Sequence, residues 1–64
     1  MFTLDETKTL MQLYIKLHSL NMEYEALEIE EQVFIIDKEV MKQKKMIVEE
    51  NINDTLKKIE SVGE

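Results

Sequence analysis

Cysteine, arginine, proline and tryptophan are all missing from this chain of 64 residues, and glycine occurs once, at Gly63. Each absence excludes something. Without cysteine there is neither a disulfide framework nor a thiolate zinc site, and a reducing, cytoplasmic setting is the expected home. Without arginine the chain lacks the side chain that forks onto phosphates and reads guanine edges. With a net charge of −6, direct nucleic-acid binding is not expected. Without proline, and with glycine only at Gly63, nothing punctuates residues 3 to 62, and helix is the default reading throughout.

Long apolar runs are also missing. The stretch Val33 to Ile36 is among the longest, far short of the roughly 20 residues that cross a bilayer, and the opening MFTLDETKTL has no secretory-signal character. No membrane association is expected. His18 is the single histidine and has no local nucleophile or acid arranged about it, so it reads as a packing residue near a turn. No Glu-x-x-His pair or calcium-loop spacing occurs either. The expectation is therefore a protein that is not an enzyme, with no catalytic, cofactor or metal residues.

What is present is helix-forming sequence with apolar periodicity. Thr3-Leu4-Asp5-Glu6 has capping-box spacing, so a first helix starts at Leu4. At about 100° per residue, Leu10, Leu13, Tyr14, Leu17 and Leu20 share one arc that Met11 and Ile15 widen. Ser19 and Asn21 are cap residues, and they predict a tight turn near 19–21. The competing reading is one unbroken helix of about 60 residues, because the spacing Leu10, Leu13, Leu17, Leu20, Tyr24, Leu27 runs straight through.

From Met22 onward two stripes emerge. One is Met22, Ala26, Ile29, Val33, Ile36 and Val40, in alternating steps of four and three as in a coiled coil. The other is Leu20, Leu27, Phe34, Met41 and Val48, with Tyr24 and Ile35 flanking it, about 120° away. Glutamates fill the seams between them. Beyond Val40 a poorer seam reads Met41, Lys45, Val48, Ile52, Thr55, Ile59, Val62, and Asn51-Ile52-Asn53-Asp54 is the place where Asn53 or Asp54 could cap a short last helix. The expected fold is all-α: a single domain over 1–64, a helical hairpin with a long second helix that can break near 51–54, assembling as an oligomeric helical bundle.

Self-association follows from the lengths. A first helix of about 17 residues spans about 25 Å and a second over 40 Å, so a hairpin leaves Leu27, Phe34, Met41, Val48 and Ile52 bare. A second copy, related by a two-fold axis, would cover them, as a homodimer or a higher oligomer.

Charge is segregated. Residues 22 to 40 carry seven acids and one lysine, whereas the flanking segments are balanced. Glu23, Glu25, Glu28, Glu30 and Glu31 form the candidate surface for a basic protein partner. The expected function is a small oligomeric interaction module, a regulator or inhibitor acting through that acidic surface, as small regulators of phages and mobile elements often do. The alternative is an oligomer that holds a small anion between subunits, using Tyr14, Tyr24 and Lys42 to Lys45.

Overall fold

The computed structural model describes residues 1–34 and 37–63. They form two helices, α1 (Leu4–Val33, 30 residues) and α2 (Lys38–Ser61, 24 residues), packed as an antiparallel hairpin. The molecule is a rod of 49 × 16 × 11 Å. At 1.5 Å per residue α1 is about 45 Å long and α2 about 36 Å, so the two arms overlap over most of their lengths.

The start of α1 is as the sequence predicts. The Glu6 amide donates to Thr3 Oγ1 at 3.1 Å and the Thr3 amide donates to Glu6 Oε1 at 3.0 Å, a reciprocal capping box that satisfies two otherwise orphaned donors. The Thr3 amide, and then its hydroxyl, hold the Glu6 carboxyl below its ordinary range. Thr7 and Thr9 hydroxyls donate back to the carbonyls four residues earlier, so these β-branched residues are accommodated within the helix.

Three expectations are corrected. The turn near 19–21 does not exist: α1 runs unbroken through Ser19 and Asn21. Both are exposed polar positions on a helix whose leucine seam continues in phase to Leu27, and a cap residue caps only where amides lack carbonyl partners. The chain reverses instead between Phe34 and Lys38. Phe34 leaves the helix in an extended conformation, and the Asp37 carboxylate accepts from the Glu39 amide at 2.9 Å to begin α2. The residue types around the reversal are β-branched or aromatic, which weakens helix propensity, and an aspartate N-cap follows. The second helix is thus the shorter one.

The third correction concerns 51–54, where α2 continues without a break. The buried Thr55 hydroxyl donates to the Asn51 carbonyl at 2.8 Å, and Ile52 and Thr55 keep their places in the seam, so Asn53 and Asp54 cap nothing. Beyond α2, Gly63 adopts φ 88°, a left-handed conformation suited to glycine at a helix end. It lies against the Phe2 ring, which closes the open end of the hairpin: a Cβ at Gly63 would stand 2.8 Å from that ring.

The core is one seam. Leu10, Leu13, Leu17, Leu20, Tyr24 and Leu27 of α1 meet Met41, Lys45, Val48, Ile52, Thr55 and Ile59 of α2 and its C-cap Val62, all of them buried or half-buried. Met41 and Thr55 are 1% exposed and Val48 5%. The α2 members are the seam read from sequence as the poorer one. Ile36 and Ile35, assigned to the two stripes, lie outside the described residues.

Candidate partner-binding surfaces

The reversal at 34–37 changes what each stripe does. Leu20 and Leu27 on α1 face α2, from which Met41 and Val48 face back, so the second stripe is the interior of the hairpin. Of the residues expected to form a self-association face, Leu27, Met41, Val48 and Ile52 are packed within one chain and Phe34 alone is exposed, at 63%. The bare overhang that motivated them is absent, because the arms are of similar length. The first stripe is the open one: Met22, Ala26, Ile29, Val33 and Val40 are exposed.

Two polar clamps fix the arms to each other. Lys45 of α2 donates to Glu31 Oε2 of α1 as an ion pair, and its ammonium stands 5.8 Å from the centroid of the Tyr24 ring, within cation–π range. The hydrogen bond to Glu31 raises the Lys45 pKa above the ordinary lysine value. One turn further along, the Tyr24 hydroxyl donates to Glu49 Oε1 at 3.0 Å, and that bond raises the phenol's pKa. In both groups the shift favours the protonated form in the folded state.

The acidic residues therefore divide. Glu31 belongs to a clamp. Glu23, Glu25 and Glu28 are exposed and Glu30 half-buried, and among the described residues none of the four carries an ion pair. Beside the Tyr24–Glu49 bond the two helices leave an open groove of about 640 Å³. Glu25 and Glu28 line it from α1 and Glu49 from α2, with Met22 and Ile52 supplying apolar surface and His18 at its edge. No lysine lines it.

Sequence reasoning found Glu25 and Glu28 but missed Glu49. Glu49 lies in a segment of balanced charge, and only the pairing of α1 with α2 brings it beside the other two. Within one chain Tyr14, Tyr24 and Lys42 to Lys45 do not come together; the anion site expected of them lies between subunits. Lys45 is engaged by Glu31, Tyr24 by Glu49, and Tyr14 stands about 25 Å along α1 from Glu31.

Among the described residues no three histidine or carboxylate groups are grouped to hold a metal ion, and no helix is long and apolar enough to cross a membrane. No protein-family model, curated protein or solved structure matches this chain.

Proposed function

We propose that the protein is a small interaction module, not an enzyme, that regulates a protein partner by holding one of its basic segments in the acidic groove. The observation that carries this reading is the convergence of Glu25, Glu28 and Glu49 about an apolar surface made by Met22 and Ile52, with no lysine in the lining. A lysine or arginine suits such a groove. Its aliphatic stem lies on Met22 and Ile52 while its charged head meets carboxylates. The surplus of negative charge on residues 22 to 40 adds long-range attraction, which speeds encounter with a positively charged surface and is screened by salt. Nothing in the geometry favours a small anion as ligand, because the groove walls are themselves anionic.

A fluorescent peptide alternating lysine with leucine tests the proposal. Binding to the wild-type protein should be measurable at low ionic strength, should weaken steeply with salt, and should fall about tenfold or more in Glu25→Lys with Glu28→Lys. Helix content should be unchanged, since both residues are exposed. Equal affinity of wild type and the charge-reversed variant for the peptide would refute the groove as the binding site.

A further inference from the structure

The outer face of α1 is a second surface, which borders the acidic groove at Met22 and whose pairing does not depend on the function proposed for that groove. Leu4, Met11, Ile15, Met22, Ile29 and Val33 expose between 55% and 71% of their surface. On a helix of 100° per residue they fall within an arc of about 40°, diametrically opposite the seam that packs on α2. α1 thus has two apolar stripes, and the hairpin covers one of them. Six large apolar side chains in one line along about 45 Å of helix are more than a soluble monomer ordinarily leaves in water.

We propose that this stripe is covered by the same stripe of a second copy, with the two α1 helices antiparallel. The charges select both the occupant and its direction. Lys8 and Lys16 are exposed on one flank of the stripe in the first half of α1, and Glu23 and Glu30 lie on the same flank in the second half. In an antiparallel pair like flanks meet, so when Ile15 packs on Met22, Lys16 comes within two residues of the level of Glu23 of the second copy, about 3 Å, and Lys8 within one residue of that of Glu30. A parallel pair would instead set the five glutamates between residues 23 and 31 against five more, a costly arrangement.

The area is adequate as well. A stripe about 45 Å long and about 10 Å wide removes on the order of 450 Å² from each chain, close to the roughly 1,000 Å² total expected of a specific contact. Glu25, Glu28 and Glu49 lie on the other flank and stay open to the basic partner, while Met22, shared by groove and stripe, is covered by the second copy and leaves Ile52 as the groove's apolar surface.

Sedimentation equilibrium is the first test. The wild-type chain should be a dimer at micromolar concentration, and Ile15→Glu and Ile29→Glu should each weaken the dimer by about 100-fold or more while keeping helical circular dichroism, because neither residue belongs to the seam with α2. Orientation is read separately. Thr7→Cys and Gln32→Cys, one per chain on a protein with no native cysteine, should form the mixed disulfide on mild oxidation in preference to either homodisulfide. A wild-type monomer at 100-fold higher concentration overturns the proposal, as does a dimer indifferent to both glutamates or a preference for homodisulfides. So does a monomer whose stripe binds zwitterionic vesicles, which would make a lipid surface the occupant.

Discussion

Leu17 and Ile15 stand two residues apart on the same helix and are similar in size and apolarity, yet Leu17 is half-buried against α2 and Ile15 is 65% exposed. The same contrast runs the length of α1. The inner face is almost all leucine, at 10, 13, 17, 20 and 27, whereas the outer face mixes Met11, Met22, Ile15, Ile29 and Val33. Apolar periodicity identifies both faces as sites of contact but does not say which contact is made within the chain. α2 decides that. It offers one seam, with Met41, Val48 and Thr55 at its centre, and it brings polar clamps at Lys45 and Glu49 that only the inner face can engage.

The largest expected effect tests that assignment. Met41→Ala should lower the unfolding free energy by about 2–5 kcal/mol in urea titration, by the same amount at every protein concentration. Met22→Ala, on the outer face, should cost less, and its cost should depend on concentration if a second copy covers it. An effect at Met41 within about 0.5 kcal/mol, as for a surface position, would dissolve the distinction between the faces.

Gly63→Ala comes next. The left-handed backbone and the approach of the new Cβ to the Phe2 ring both oppose it, and a loss of about 1–2 kcal/mol is expected in thermal or urea unfolding. Thr55→Val should be smaller still, within about 1 kcal/mol of wild type in the same titration. The Asn51 carbonyl lies within α2, where the helix backbone supplies it with a partner, so removing the hydroxyl orphans nothing.

The smallest effect is a pH dependence confined to the inner face. Tyr24 and Lys45 both titrate higher in the folded chain, chiefly through their bonds to Glu49 and Glu31. Their contribution is complete below the unfolded values, about 10 for tyrosine and about 10.4 for lysine, and is lost as pH rises through the higher folded values. The slope of stability against pH above 10 should flatten in Tyr24→Phe combined with Lys45→Met. An unchanged slope would remove the clamps from the account.

Much of this fold is legible in the residues. The box of Thr3 with Glu6 starts α1 where its spacing predicts, and the sequence Met41, Lys45, Val48, Ile52, Thr55, Ile59 is the face α2 presents, continued by its C-cap Val62. The position of the turn is not legible, for a physical reason. Ser19 and Asn21 have the chemistry of caps but sit where every amide already has a carbonyl four residues back. The segment from Val33 to Asp37 has neither glycine nor proline and reads as buried apolar surface. The local signals there, β-branched and aromatic residues followed by the Asp37 cap, are no stronger than those at Ser19 and Asn21, and the gain from laying two arms of similar length side by side decides between them. The groove is hidden for the same reason, since Glu49 joins Glu25 and Glu28 only once the arms are paired.

The contact of Phe2 with Gly63 also sets how the molecule can be handled. Residues 2 and 63 lie together at one pole of the 49 Å rod, and the opposite pole carries Phe34 and Val40, exposed by 63% and 46%. A fluorophore or affinity handle added at either end therefore stays remote from the reversal. A short linker joining residue 63 to residue 2, with new termini opened between Phe34 and Lys38, gives a permuted chain that keeps both helices, both clamps and the acidic groove.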